Sequence, residues 1–498
     1  MIGDVFLKFT GKIDRRSPQD EGKPEDPVIR ENWLCRDGKL SKPPGHESKF
    51  TDLTDIPRWI SRYNTTENSV ISPKTFVYTQ DGIIRVLNDS TFVSTSVKTL
   101  LNEDAYPRSW LFKAGDQNKL FFVDGENLYR HDGNNSNLFE KVDLNDSDGN
   151  AVNPIDVIEH KDRLFVISKT KLFVSKNLGP EVFDDANDSI EIIVGSGKGF
   201  NLALGKIEDK LYIFNTEGIF ALDGDVISAL ASTFEVRLVD DTKIIVPRSV
   251  VRVEKALLFI ADDFELRSWD GNSCTMLSFE LKLKDYFNRN SNMLDKASAI
   301  YHNNYYKLSF VETGESEPDL EVWWDAFEDK IDLVRGRHVS CYMRTDPTIE
   351  SEYVQMGQSD ENKIVQDEID YDFDGTAIVT RLRTRDILIK KGLNVRFLAF
   401  YPQFEPTGDR DLTIIYLLDG RSSQWTQNLR GEIKTLGFIS INNQAQAMSR
   451  VRPNINYARG QSIAFDITEE TLGQKSDFIG MGMDYITKYQ KKGVAVGA

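Results

Sequence analysis

Three aspartates in a run, Asp370, Asp372 and Asp374, followed by Gly375, come nearest in this chain to a spacing that does chemistry. D-x-D-x-D-G opens a calcium loop, in which alternate carboxylates and a sharp glycine turn surround a hard cation with oxygen. That loop needs a bidentate glutamate at its twelfth position, and here the position holds Arg381. Ile369, Tyr371 and Phe373 also alternate with the acids, the pattern of a strand entering an Asp-Gly turn. Asp370, Asp372 and Asp374 are therefore the one metal candidate, and the turn is the preferred reading. No metal or cofactor is expected.

Other stretches carry less. Asp143 to Asn150 is an acidic loop whose glycine is out of register for calcium and reads as a solvated turn. Gly195-Ser196-Gly197-Lys198-Gly199 suggests phosphate binding, but lacks the G-x-x-x-x-G-K-[ST] spacing and a following helix, so a turn is expected. His46, His131, His160, His302 and His338 show no metal pairing and no nucleophile context, and are read as turn or surface residues. Trp323-Trp324 offers faces that stack on sugars, yet on an alternating strand one of the pair faces inward, so core packing is expected. Glycosidic chemistry needs two carboxylates at a fixed separation, and with 78 acidic residues no particular pair is singled out. No catalytic residue is nominated, and the chain is read as a non-enzyme.

Composition narrows the class. The 498 residues are long enough for two or three domains, and 11% aromatics suit β-structure. A net charge of −17 argues against gripping duplex DNA, which requires a basic face. Cys35, Cys274 and Cys341 are far apart and odd in number, giving neither a disulfide framework nor a zinc spacing, and fit synthesis in a reducing compartment. The first residues lack the apolar core of a signal peptide, and nowhere do 18 apolar residues run together, so no membrane span is expected.

What would have to position any site is β-structure. Apolar runs broken by tight polar turns recur at 75–87, 119–133, 163–175, 210–225 and 257–271, each reading as a hairpin. Their turn residues Gly82, Gly125, Thr170, Gly218 and Asp263 lie 43, 45, 48 and 45 apart. That period, with about four strands per unit, predicts a β-propeller over 51–375 with five to seven blades, six favoured. Residues 284–300 could hold one or two helical turns. Residues 1–50, rich in Pro, Gly and charge, are expected as an extended N-terminal arm whose deletion to residue 45 leaves the propeller folded. After about residue 370 the period is lost, and longer strands over 376–498 predict a C-terminal β-sandwich. The fold class is all-β.

The N-terminal text ENWLCRDGKLSKPPG, then ISRYNTT and TFVYTQDGIIRVL, resembles tail and head-completion proteins of double-stranded DNA bacteriophages. The C-terminal run, ending on a short strand with Tyr485, Lys488 and Tyr489, is similar to their terminal sandwich. The nearest type is the tail hub or nozzle, including the packaged-DNA stabilisation proteins. The resemblance implies a virion structural protein of the portal–tail axis, made in the host cytoplasm. It implies an oligomeric ring, hexamer favoured, that closes or guides DNA exit. Its partners would be portal or adaptor rings and tail fibres, with genomic DNA passing without sequence-specific binding. The alternatives are a receptor-binding tail protein that recognises a host glycan or protein through the propeller face, and a propeller enzyme or scaffold.

Overall fold

The computed structural model describes residues 2–487 except 18–22, 68–69, 89–90, 92, 100–101, 104, 134–137, 187, 225–232, 346–351, 389–394, 406–409, 420, 430–446 and 449–458. The protein is all-β: apart from single helical turns such as Ser291–Leu294, its described regular elements are strands.

Seven four-stranded antiparallel units follow one another, numbered here I to VII. Units I to V run over 57–98, 108–142, 156–193, 201–240 and 251–276. Unit VI runs over 298–335, and unit VII over 339–367 with a fourth strand from elsewhere. Within a unit burial grades with strand order. Second strands such as Arg163–Ile167 and Tyr305–Val311 are buried along their whole length, so both faces are covered and the sequence reads as a continuous apolar run. Fourth strands such as Glu235–Asp240 face solvent. The hairpin turns use residues that tolerate positive φ. At Gly218 (φ 150°) a side chain would meet the Asp240 carbonyl at 2.4 Å.

First strands pack on first strands. Arg108–Phe112 lies against Asp156–His160, and contact then passes through Asn201–Ile207, Val251–Val253 and Ser298–His302 to Val339–Arg344. Val339–Arg344 in turn packs on Pro57–Glu67, the first strand of unit I. Units I and II join through Trp59, Tyr78, Phe122 and Tyr129 in one apolar cluster. The series thus returns to its start. The series has seven units, and unit VII, with a polar, irregular text, borrows its last strand.

That borrowed strand is His46–Phe50, which pairs antiparallel with Ile364–Asp367. The N-terminal segment, expected as an extended arm, is woven through the protein. Ile2–Leu7 pairs with Asp477–Thr487. Ile29–Glu31 lies between Lys330–Arg335 of unit VI and Thr380–Arg383, making one ten-stranded sheet that continues into Ser462–Glu469, Arg410–Leu418 and Arg421–Leu429. A second C-terminal sheet centres on Val395–Phe404 and Asp477–Thr487. The two C-terminal sheets share one core, in which Phe9, Trp33 and Cys35 lie among Phe400, Phe465, Phe478 and Met483. Residues 1–45 therefore cannot be removed without opening that C-terminal core. Lys488 and Tyr489 lie outside the described residues, and Tyr485 packs at the core's edge.

Trp33 is 1% exposed and touches Phe404 and Phe478 at 6.5 and 6.2 Å between ring centroids. Trp33→Ala should cost about 3–5 kcal/mol of unfolding free energy, as large-to-small changes in packed cores do. A urea titration of purified protein reads this directly, and an unchanged midpoint would mean that the N-terminal segment contributes nothing to the core.

Candidate functional site

The three candidate aspartates do not converge. Asp372 Oδ1 accepts the Gly375 N–H at 2.7 Å in a turn. Asp374 accepts from Ser48 N and Oγ at 3.1 and 2.5 Å and from Lys363 Nζ at 2.9 Å, fastening the strand His46–Phe50 to the end of unit VII. Its partial burial opposes ionisation, but the bonds from Lys363 and Ser48 prevail and hold the carboxyl at about 2. Among the described residues, no group of three His, Cys, Asp or Glu side chains is placed to hold a metal ion.

The other candidates resolve as turns or packing. The Gly195–Gly199 loop wraps a carboxylate of its own: Glu217 Oε2 accepts Ser196 N–H at 2.9 Å, and a Cβ on Gly195 or Gly199 would strike it. The acidic loop folds around Asp146, which accepts from Asp148 N and Asn150 N at 3.1 and 2.8 Å. It borders a cleft of about 790 Å³ between units II and III, where Glu181 and Glu191 are paired at 2.5 Å with Lys119 and Lys171. Trp323 is core, and Trp324 is half-buried against a different apolar cluster on the other face of the strand.

Four histidines expected at turns or on the surface are buried: His46, His131, His160 and His302. His46 stacks on Phe373 at 5.0 Å, and burial pushes it down to about 3. Burial likewise takes His131 to about 4 and His160 to about 3. Both ring nitrogens of His160 lack a hydrogen-bond partner.

The features that sequence reading missed lie where units VI and VII meet. Lys307 Nζ reaches Asp367 Oδ2 at 2.6 Å and Glu368 Oε1 at 3.0 Å, over the face of Trp323 at 4.1 Å. Arg337 pairs with the other oxygen of Asp367 and approaches Glu321 Oε1 at 3.6 Å, and Glu321 also accepts from the Trp323 indole. Lys307, Arg337, Glu321 and Asp367 are all buried. Burial pushes Asp367 up, but the two cations outweigh it and hold the carboxyl below its usual range. With its two cations set against Asp367, Glu321 and Glu368, this cluster clamps two units.

Beside the clamp opens a groove of about 480 Å³, floored by Tyr305 and Trp323 and rimmed by Arg36, Lys39 and Lys475, with Glu368 on one wall. Arg36 lies over the Tyr305 ring at 6.0 Å. Lys39 bridges Glu405 and Asp477 at 3.2 and 3.1 Å. The groove can bind by stacking and charge, while Lys39 and Lys42 in its lining already tie the N-terminal segment to the C-terminal strands.

No known family model matches this sequence, and no curated protein matches it.

No local spacing marks the clamp, since its members come from positions up to 61 residues apart. A trace is Lys307 itself, a lone cation in the apolar strand YYKLSFV.

Asp367→Asn leaves Lys307 and Arg337 buried with one partner short. The loss should be about 3–5 kcal/mol in a urea titration, and a change near zero would remove the clamp from the stability argument. The histidines give a pH prediction. Unfolded imidazoles titrate near 6.5, so below that pH the unfolded chain binds protons that the folded one refuses, and stability falls as pH drops toward 4. His160→Phe should raise the melting temperature more at pH 5 than at pH 8; an equal shift at both would show that His160 does not contribute to the acid loss.

Proposed function

We propose that the seven units form a seven-bladed β-propeller closed by the strand His46–Phe50, and that the two C-terminal sheets form a β-sandwich. The chain as a whole is then a non-enzymatic virion structural protein of the portal–tail axis, a tail hub or nozzle subunit. It works in a ring, hexamer favoured, between portal or adaptor proteins and tail fibres, and closes or guides the path of genomic DNA.

The observation that carries this reading is the ten-stranded sheet that runs without a break from unit VI, through Ile29–Glu31, into the C-terminal strands. A part that bears load at a DNA exit must not flex at a linker between its domains. Here strain passes through in-plane backbone hydrogen bonds and through the buried pair Arg30–Asp332 at 2.5 Å. Arg30 is wholly enclosed and also donates to the Gly11 carbonyl at 2.6 Å, so the same side chain ties two stretches of the N-terminal segment to unit VI. The formal charge of −17 also suits a wall past which DNA slides, because like charge disfavours adhesion.

The test is the mass of the purified chain by light scattering, alone and mixed with a candidate portal or adaptor ring. A ring, or a multimer of about six copies that forms on the partner, is the expected result. A trimer would transfer the reading to receptor binding, and a monomer that ignores every ring partner would overturn it.

A further inference from the structure

The groove beside the clamp is built from three tight turns that come from three parts of the chain. The N-terminal hairpin of Leu34–Arg36 and Lys39–Ser41 turns at Asp37-Gly38, with φ of 52° and 71°. The hairpin of Ser298–His302 and Tyr305–Val311 in unit VI turns at Asn303-Asn304, with φ of 48° and 66°. Two-residue loops with positive φ at both positions match the twist of their strands, so these turns are held by the ladders behind them. The third turn follows Ile364–Asp367 of unit VII, with Glu368 at φ 61°, and brings in Tyr371.

The turns bring planar polar groups to one concavity of about 480 Å³, within the range of small-molecule pockets and set where unit VI, unit VII and the N-terminal segment meet. Arg36, Asp37, Asn303 and Asn304 are exposed along it, and Tyr371 is half-buried. Asn303 Nδ2 already donates to Glu368. Among the described residues the Arg36 guanidinium has no hydrogen bond or ion pair and lies over the Tyr305 ring at 6.0 Å. The side chains of Asp37, Asn304 and Tyr371 likewise make no hydrogen bond or ion pair among the described residues. A guanidinium, a carboxylate, an amide and a phenol with unspent bonding capacity thus line one groove.

Charge decides the class of ligand. The lysines of the lining are already answered, Lys39 by Glu405 and Asp477, Lys42 by Glu469 at 3.1 Å, and Lys475 by Asp477 at 3.3 Å. Glu368 is answered by Lys307, and Arg36 and Asp37 leave one charge of each sign side by side. No surplus cation is left to draw a phosphate or a carboxylate. Tyr305 and Trp323 are 5% and 1% exposed, so the floor offers little ring face, and Tyr371 is the ring on which an apolar face can rest. A pyranose meets both conditions: vicinal hydroxyls bridge the two arms of a carboxylate, amide or guanidinium, and its C–H face packs on an aromatic ring.

We propose that this groove binds a neutral saccharide of one or two pyranose rings, with Arg36, Asp37 and Asn304 bonding its hydroxyls and Tyr371 against its C–H face. The polar groups stand on turns already fixed by hairpin pairing, so little ordering is required on binding. The site does not depend on the ring assembly proposed above, because one chain supplies every group, and neither result decides the other.

The test uses the full chain and ligand-observed saturation-transfer NMR. The neutral probes are the methyl glycosides of glucose, galactose, mannose and N-acetylglucosamine, and the charged probe is methyl glucuronide. At least one neutral glycoside should receive saturation, with an affinity on the order of 1 mM for a ligand of this size. Tyr371→Ala and Asn304→Ala should each weaken that binding about threefold to tenfold, the worth of one ring contact or one neutral hydrogen bond, with the melting temperature unchanged. Ile193→Ala, an exposed position in unit III, should leave binding as it is. Silence from all four neutral glycosides would overturn the proposal, and so would binding that neither groove variant alters. Transfer to the glucuronide alone would show that the groove selects an anion and that the neutral assignment is wrong.

Discussion

The whole arrangement depends on one pairing, that of His46–Phe50 with Ile364–Asp367. A series of sheets that grows by adding units always leaves an unfinished end, and an exposed strand edge invites association with other chains. Here the chain sets aside a strand before unit I and uses it to finish unit VII. Glu47 faces Gln366 across that ladder although the two are more than 300 residues apart in sequence. Contacts of such separation form slowly, because the loop-closure entropy must be met before any contact repays it. Asp374 then fixes the strand from outside through Ser48 and Lys363.

Once the last unit meets the first, charges can be held that no single unit could enclose. The clamp of Lys307, Arg337, Asp367 and Glu321 exists because units VI and VII share a boundary. The reach of Arg248, just before unit V, to the carbonyls of Arg58 and Ser340 and to Ser298 Oγ exists because V, VI, VII and I do. Apolar side chains tolerate slippage by repacking, whereas a buried ammonium between two carboxylates has one acceptable position. The apolar clusters supply most of the driving force for burial, and the buried ions select one register among those that burial alone would accept.

The parts of this fold that were legible in sequence are those whose partners are close in sequence. Hairpins around Gly82, Gly125, Gly218 and Asp263 announce themselves because turn and strands lie within about a dozen residues. Unit VII was opaque for the opposite reason. Its strand Val354–Gln358 contains Gly357, where a Cβ would meet Cys341 Sγ at 2.7 Å, and its final strand reads HESKF, which no apolar alternation marks. In the N-terminal segment Pro, Gly and charge describe the connections, while Phe9, Trp33 and Cys35 carry the packing. Arg248, 190 residues from Arg58, shows nothing until the ends meet.

The same weaving limits how the protein can move. Two sets of sheets joined by a single linker would hinge, but here the joint contains Ile29–Glu31 as an interior strand, with Arg30–Asp332 enclosed beside it. Opening it would expose a buried ion pair and break backbone bonds on both sides of the strand, so the cost is that of local unfolding and not of a hinge. The second crossing, Lys39 to Glu405 and Asp477, lies on the other C-terminal sheet, and two separated ties suppress rotation as well as separation. Adjustment to any partner is therefore confined to loops and to the rim of the groove, while the sheets act as one body.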